Sequence, residues 1–235
     1  MILYPPFLKI MKYNLTISCA YSANGVFWMP VLREQFHWTS SQVLFMVSIN
    51  LVMAIMVLWF FGQRIDRVGS LPILHLSGIL VSLQFIFWFM VTSRLVPLNF
   101  LMIAVLSVVG GLGGPLFGLA NTRQVMATVP EMGRSHFFAL FSVINSLIAA
   151  ITPIFWGIVL DGLRNKTWQL GPLILNNYSF LYIALILIMA LSFIMLAAIK
   201  EQRAMTSEEF FRELLVETPS RAFTRLLRGR PFFGQ

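Results

Sequence analysis

The stretch WFFGQRIDRVGSLPIL, residues 59–74, places a short charged turn between two long apolar runs. Ionised side chains are costly inside the hydrocarbon core of a bilayer, whereas each apolar run has the roughly 20 residues that a helix needs to cross that core. The stretch therefore predicts two membrane-spanning helices joined by a loop at the membrane surface. The loop contains two glycines and three charged residues, namely Gly62, Gly69, Arg64, Asp66 and Arg67.

The composition of the whole chain indicates a membrane protein. Of its 235 residues, 58% are hydrophobic and 11% are charged, with a mean hydropathy of +0.80, whereas soluble domains average about 25% charged residues. Backbone groups in lipid must form their hydrogen bonds within the chain, and the alternation expected of barrel strands is absent, so helices are the default. Six apolar runs are long enough to cross the membrane: 15–32, 43–61, 71–91, 98–120, 137–160 and 178–199.

These runs predict the fold class and the domain organisation. We expect an all-α membrane protein in which six transmembrane helices form one bundle over residues 13–200, because the connecting segments are short. Residues 1–12 would form a cytoplasmic N-terminal segment. Residues 201–235 are charged with clustered apolar side chains, which is typical of a basic amphipathic tail lying on the cytoplasmic lipid surface. A regulatory or partner-docking role is the alternative for this tail.

The basic residues predict the orientation of the chain in the membrane. If the N-terminus is cytoplasmic, thirteen of the 17 lysines and arginines fall on the cytoplasmic side and four fall outside, at Arg33, Arg94, Arg164 and Lys166. Cytoplasmic loops of membrane proteins carry an excess of Lys and Arg. Both termini are therefore expected in the cytoplasm, and the net charge of +8 indicates topology rather than a nucleic-acid partner.

Residues 40–66 resemble residues 135–161 at an offset of 95 residues, with seven identities in 27 positions. The matched segments belong to the second and fifth predicted spans, which cross the membrane in opposite directions. Inverted three-helix repeats recur in secondary transporters, so the pattern predicts two such repeats; chance similarity between two membrane helices is the alternative. The identities pair Ser40 with Ser135, Ile49 with Ile144, Asn50 with Asn145, Ala54 with Ala149, Phe60 with Phe155, Gly62 with Gly157 and Asp66 with Asp161.

Three asparagines lie near the middle of predicted spans. Asn24 falls in the first span, Asn50 in the second and Asn145 in the fifth. Polar side chains at this depth are functional candidates, because placing them in the membrane is costly. The alternative interpretation is a hydrogen bond between helices, worth about 0.6 kcal/mol on average.

The fourth span contains the run GGLGGPLFG, residues 110–118. Glycine costs about 0.8–1.0 kcal/mol relative to alanine in a helix interior, and proline costs more. The run predicts either close packing against neighbouring helices or a hinge at which the helix bends during a conformational cycle. Pro153 in the fifth span likewise predicts either close packing or a hinge. The candidate hinge residues are Gly110, Gly111, Gly113, Gly114, Pro115 and Pro153.

The sequence lacks the motifs of an enzyme or a cofactor-binding protein. No Asp, Glu, Lys, Arg or His lies deep within a predicted span. Neither clustered metal ligands nor the phosphate-binding G-x-x-x-x-G-K-[ST] loop occurs. The single cysteine, Cys19, excludes an internal disulfide framework. We therefore expect no enzymatic activity, no metal and no other cofactor.

The loop GQRIDRVG, residues 62–69, resembles the G-x-x-x-D-[RK]-x-G signature of the major facilitator superfamily. Ser70 and Leu71 replace the basic residues that usually follow the last glycine, and the fourth span lacks the buried arginine typical of the first half of such proteins. Together with the tail, these departures make residues 13–200 similar to the C-terminal six-helix half. The resemblance implies a fold of twelve spans in two halves and transport of a small-molecule substrate by alternating access.

The resemblance also implies where the substrate and the gate lie. In the family, the first, second, fourth and fifth helices of each half line a central cavity, so polar and aromatic residues near the middle of these helices are expected to contact the substrate. These candidates are Asn24, Asn50 and Asn145, with Tyr21, Trp28 and Ser142 as weaker additions. The expected cytoplasmic gating loop comprises Gly62, Asp66, Arg67 and Gly69.

Asp66 is the expected latch of this gate. The fifth span starts on the same side of the membrane, and its helix dipole would favour a carboxylate near its N-terminus by about 0.3–1 kcal/mol. The family resemblance suggests that this contact holds one conformation.

One six-helix half has only half of such a cavity. The chain is therefore expected to pair with a separately made second half or to form a homodimer; an inactive truncated carrier is the other interpretation. A non-transporting membrane scaffold or assembly factor, acting through its helix surfaces and basic tail, is the alternative function.

Overall fold

The computed structural model describes residues 4–62, 65–129, 134–164 and 166–199. The tail predicted over residues 201–235 lies outside this part of the chain. A π-helical turn, Val31–Gln35, follows the first helix, and two short strands, β1 (Trp168–Leu170) and β2 (Leu173–Leu175), precede the last one. The α-helices are α1 (Pro5–Pro30), α2 (Ser40–Phe61), α3 (Ile65–Val68), α4 (Ser70–Thr92), α5 (Phe100–Thr128), α6 (Arg134–Leu163) and α7 (Asn177–Ala197).

Five of the described helices, α2, α4, α5, α6 and α7, are long and apolar enough to cross a membrane. The prediction of a helical, multi-pass membrane protein is confirmed at this level. With 26 residues, α1 reaches about 39 Å at 1.5 Å per residue, which is long enough to cross. It is more polar than the others, because Asn, Ser and Lys residues recur along it. A sixth span at α1 remains a prediction.

The first helix begins ten residues before the predicted start of the first span. Pro5 and Pro6 occupy its first turn, where the missing N–H of proline costs no hydrogen bond. Phe7 and Ile10 are buried in the core, so apolar packing continues through this extension. Residues 5–12 are therefore the first two turns of α1.

The extensive contacts between helices follow a single order, α2–α5–α4–α7–α1–α6, in which each helix packs against the next. The interior is filled mainly by α4, α5 and α7. At its centre the rings of Trp88 and Tyr182 stack between α4 and α7, with centroids 5.7 Å apart and an interplanar angle of 7°. The helices at the two ends of the order, α2 and α6, bury the smallest share of their residues.

Hydrogen bonds join the π-helical turn, the end of α4 and the start of α7. The carbonyl of Thr92 accepts bonds from the side-chain amides of Gln35 and Asn176, each at 2.8 Å. The Tyr178 hydroxyl donates to the Glu34 carboxylate at 2.7 Å. This end of the bundle, predicted to lie on the side opposite the cytoplasm, is therefore fastened by side chains that satisfy exposed helix termini.

The antiparallel hairpin of β1 and β2 was not predicted from the sequence. Its turn contains Gly171 at φ +62°, followed by a proline. A Gly-Pro pair between apolar residues is a turn signal, and it could have indicated the hairpin. The backbone N–H of Ile174 in β2 donates to the Ser93 carbonyl at 3.2 Å, so the hairpin covers the end of α4.

Gly69 forms the sharp corner between the short helix α3 and α4. It has φ +92° and ψ 168°, a backbone conformation that is essentially restricted to glycine. Its N–H donates to the Ile65 carbonyl at 2.9 Å. Beside this corner, the Arg123 guanidinium of α5 donates to the Ser70 hydroxyl of α4 at 2.9 Å. The corner and this bond place the loop against the end of α5.

We expect Gly69→Ala to lower the free energy of unfolding by about 1–3 kcal/mol, because alanine is strained at this φ and ψ. Thermal unfolding of the protein in detergent would measure the change. The matched control is Gly157→Ala in α6, where an added Cβ meets open space and higher helix propensity should leave stability equal or slightly raised. Equal stabilities of the two variants would contradict the prediction.

Candidate functional site

A cavity of about 470 Å³ opens between α1, α5 and α6. This volume lies within the range of small-molecule sites in proteins. None of the lining residues carries a charged side chain. The amides and hydroxyls of the wall belong to Asn14, Ser18, Ser22, Asn121, Asn145 and Ser146. The remainder of the wall is formed by Tyr21, Phe117, Phe141 and Ala149.

Two hydrogen bonds cross the wall of this cavity. The Asn121 amide donates to the side-chain oxygen of Asn14 at 2.7 Å, which joins α5 to α1. The Ser18 hydroxyl donates to the side-chain oxygen of Asn145 at 2.8 Å, which joins α1 to α6. Because the bilayer offers no competing water, such bonds between helices satisfy polar groups that lipid cannot. They position the polar wall as well as lining it.

Two of the three asparagines of the wall are also bonded to their own helices. The amide of Asn14 donates to the Ile10 carbonyl at 3.1 Å, and the amide of Asn145 donates to the Phe141 carbonyl at 2.9 Å. Each primary amide keeps a second N–H. Among the described residues, the side-chain oxygen of Asn121 accepts no hydrogen bond from the protein, and the hydroxyl of Ser146 neither accepts nor donates one. The wall therefore presents both unused donors and unused acceptors.

Aromatic rings form the apolar side of the cavity. Tyr21 and Phe117 stack with centroids 5.0 Å apart at an interplanar angle of 22°, and the ring centroids of Tyr13 and Phe117 are 6.4 Å apart. The Tyr21 hydroxyl is buried close to Ser77 of α4 without a direct hydrogen bond of good geometry. The Tyr21 ring thus reaches from α1 to α5 and toward α4, with Phe117 stacked against it.

Two of the six residues predicted to contact substrate, Asn145 and Tyr21, line the cavity. The other four do not lie in its wall. Ser142 is exposed on α6, and Trp28 is partly buried against the core. The side-chain oxygen of Asn24 is buried and has no hydrogen-bond partner among the described residues.

Asn50 lies in a different environment from Asn145, its counterpart in the repeat. Both amides bond to the carbonyl four residues earlier, Asn50 to Met46 at 3.2 Å. The side-chain oxygen of Asn50, however, lies 3.2 Å from the position that a Cβ on Gly110 would occupy. The same repeat position therefore faces a cavity in α6 and is closed by helix packing in α2.

The structure adds several lining residues that the sequence interpretation missed. Three lie on α1 at Asn14, Ser18 and Ser22, a spacing of four residues that places them on one helical face. This face was a usable signal, but the predicted first span began after Asn14. On α5, Asn121 was missed because the predicted span ended one residue before it, whereas the helix continues to Thr128.

The glycine run of α5 is used mainly for close approach to its neighbours. A Cβ on Gly111 would lie 2.7 Å from the Asn50 carbonyl oxygen on α2. A Cβ on Gly113 would lie 2.9 Å from Val81 on α4, and the Gly113 carbonyl accepts a bond from the Ser77 hydroxyl at 3.0 Å. Gly114, by contrast, has open space around it.

Both candidate hinge helices run without a break through their prolines. α5 is continuous through Pro115 and α6 through Pro153. Bending at these positions during a conformational cycle stays a prediction.

The structure describes only part of the predicted gating loop. Gly62 caps the end of α2, and Gly69 caps the start of α4. The side chains of Asp66 and Arg67 lie outside the described part of the chain, so the latch between Asp66 and the start of α6 stays a prediction.

Comparison with known protein families assigns the chain to a class. The sequence model of the Major Facilitator Superfamily matches residues 13–234, so the chain belongs to this family. The resemblance inferred from the loop at residues 62–69 is confirmed. Members are membrane transporters of small molecules rather than enzymes, which agrees with a multi-pass protein carrying apolar helices. Comparison with curated proteins gives no match.

We expect Gly111→Ala to destabilise the bundle by about 1–3 kcal/mol, because the added methyl group would press on the backbone of α2. Gly114→Ala should leave stability equal or raise it by up to about 1 kcal/mol, because its Cβ has open space and alanine favours the helix. Thermal unfolding in detergent measures both. If Gly114→Ala were the more destabilised variant, the packing role of Gly111 would be wrong. Loss of transport in a stable Gly114→Ala variant would instead indicate that α5 bends at this position.

Proposed function

We propose that the chain is one six-helix half of a secondary active transporter, which moves a small solute by alternating access. The cavity between α1, α5 and α6 would be its part of the substrate path. The observation that carries the proposal is that this open cavity, lined by uncharged polar groups, is formed by α1 together with α5 and α6, two of the helices that are long and apolar enough to cross a membrane. Ser18 and Asn145 each lie about three turns or more from both ends of their helices.

A bilayer cannot cover such a surface. Hydrocarbon offers no hydrogen bonds, so amides and hydroxyls that face it are left unsatisfied. A water-filled path between two bundles would satisfy them. This supports a second six-helix bundle on the open side of the cavity.

The apolar faces of α2 and α6 are suited to such a second bundle. Each helix exposes large side chains at matching positions of the repeat, 95 residues apart, and each of these is more than half exposed. The pairs are Val52 with Leu147, Met56 with Ile151 and Trp59 with Ile154. The second bundle would be a second copy of this chain or a separately made N-terminal half.

The order of helix contacts supports two inverted repeats. The first repeat would contain α1, α2 and α4, and the second α5, α6 and α7. The counterparts are α1 and α5, α2 and α6, and α4 and α7. If each helix is exchanged for its counterpart, the contact order α2–α5–α4–α7–α1–α6 is reproduced in reverse. A half-turn about an axis in the membrane plane produces this exchange. The same axis would place both termini on one side, which the distribution of basic residues assigns to the cytoplasm.

The gate would lie at the cytoplasmic end of the bundle. Gly69 sets the direction in which α4 leaves the loop, and Asp66 would latch onto the N-terminus of α6 in one conformation. The hinge at residues 110–115 and Pro153 would let α5 and α6 bend as the latch opens. The open Gly114 leaves room for such bending.

A photo-crosslinking residue, benzoylphenylalanine, tests for the second bundle. In native membranes we expect position Ile151 to crosslink to a protein that contains six spans, either this chain or another, because α6 would face it. Leu187 is the matched control, since it is equally exposed on α7, which would face lipid. Protein adducts identified by mass spectrometry are the readout. Adducts with lipid alone at both positions would favour the non-transporting scaffold or an inactive truncated carrier.

A flux measurement tests transport itself. The assembly found by crosslinking, reconstituted in liposomes, should accumulate at least one solute from a panel of labelled small molecules. Ser146→Trp should lower this uptake by about tenfold or more, because the indole would occupy the open cavity. Leu187→Trp, which adds the same ring at the lipid face, should retain uptake. No solute moved by the intact assembly would contradict the proposed function.

A further inference from the structure

The cavity wall has a chemistry that selects among solutes. It combines three asparagine amides, three serine hydroxyls and a set of aromatic rings, with no ionisable group other than the buried phenol of Tyr21. A charged solute bound against this wall would exchange part of its hydration for uncharged groups without meeting an opposite charge on α1, α5 or α6, and such an exchange is unfavourable. The wall therefore disfavours carboxylates, phosphates and ammonium groups.

The unused hydrogen-bonding groups point to hydroxyls. Asn121 presents a side-chain oxygen as an acceptor, the asparagine amides present second N–H donors, and Ser146 can do both. A hydroxyl group donates and accepts at once, so a solute with several hydroxyls can satisfy both kinds of group. A solute that only accepts, or only donates, would displace water from both kinds of group and leave one kind unpaired, which is costly.

The aromatic side of the cavity adds a second requirement. Phe117 is held flat against Tyr21 at 5.0 Å, and Phe141 lines the same space. These rings offer apolar area against which a ring of C–H groups can pack. Amides on one side and rings on the other are matched by a molecule that has hydroxyls at its edge and an apolar face.

From this arrangement we infer that the cavity binds an uncharged, hydroxyl-rich ring compound of about the size of a monosaccharide or a nucleoside. The inference rests on the proposed transport function for its setting, since the cavity is taken as part of a substrate path. The class of solute itself is inferred from the side chains of Asn121, Asn145, Ser146 and Phe117.

Binding of a defined set of probes to the full chain in lipid nanodiscs, together with any partner found by crosslinking, tests this inference. The neutral probes are D-glucose, myo-inositol and uridine, and the ionic probes are succinate, inorganic phosphate and choline. We expect at least one neutral probe to bind and to raise the unfolding temperature, and no ionic probe to do so at equal concentration. Specific binding of an ionic probe, or binding of no neutral probe, would overturn the inference.

Variants locate the binding in the cavity. Asn121→Leu should weaken binding of the neutral probe by about tenfold, since a bound hydroxyl that has displaced water from the wall loses a hydrogen-bonding partner. Ser146→Ala should have a similar effect, and it removes a group with no bond inside the protein, so it keeps the assay informative if Asn121→Leu fails to fold. The matched control is Thr122→Val, whose exposed hydroxyl bonds only to the Gly118 carbonyl of its own helix. Equal weakening by the control would place the probe elsewhere and overturn the inference.

Flux with the same probes separates this inference from the proposed function. Transport of an ionic probe but of no neutral one would leave the transporter standing and refute the solute class. Binding of a neutral probe without flux would refute transport and keep the solute class.

Discussion

The absence of hydrogen-bonding partners in lipid is the constraint on which the rest of this structure depends. It forces the backbone into helices, and it makes a polar side chain at membrane depth costly unless that side chain finds a partner in the protein or in water. Asn14 with Asn121 and Ser18 with Asn145 meet this demand across the helix contacts. These two bonds also define the wall of the cavity. The polar site and the means of holding three helices together are therefore the same set of side chains.

The two halves of the repeat meet the constraint in different ways. Asn50 and Asn145 each bond to the carbonyl four residues earlier in the helix. In the second half, Asn145 then receives a bond from Ser18 at an open cavity. In the first half, the glycines of α5 bring its backbone against α2 beside Asn50, which leaves no space for a solute. A repeated sequence thus provides one site and one tightly packed contact.

The arrangement of helices explains why the cavity lies at the edge of the described bundle. α1 and α5 are separated in the contact order by α4 and α7, so they meet over only a small area and leave a gap that α6 borders. Stacking of Trp88 on Tyr182 fills the space behind them. The interior is consequently dense where these rings stack, and the polar groups are left where α1, α5 and α6 border the gap.

The sequence by itself determined the class of this protein. Long apolar runs, the glycine-bracketed charged turn and the 95-residue offset are local or periodic features, and they predicted a multi-pass helical member of the major facilitator family. They also indicated Asn145, because a polar residue in an apolar run stands out, whereas Tyr21 was indicated by the family resemblance, since it lies near the middle of a helix that lines the cavity in that family. Hydropathy placed the start of α1 too late and the end of α5 too early. Helices continue through polar residues such as Asn14 and Asn121 when these bond to each other.

Only the tertiary structure decided which side chains meet. Depth in the membrane follows from position along a helix, and this can be counted from the sequence. The direction in which a side chain points relative to its neighbours depends on how helices cross, and the partners of these bonds are 107 and 127 residues apart in the chain. For this reason Asn24, Asn50 and Asn145 are equivalent in the sequence, whereas Asn145 alone among these three lines the cavity.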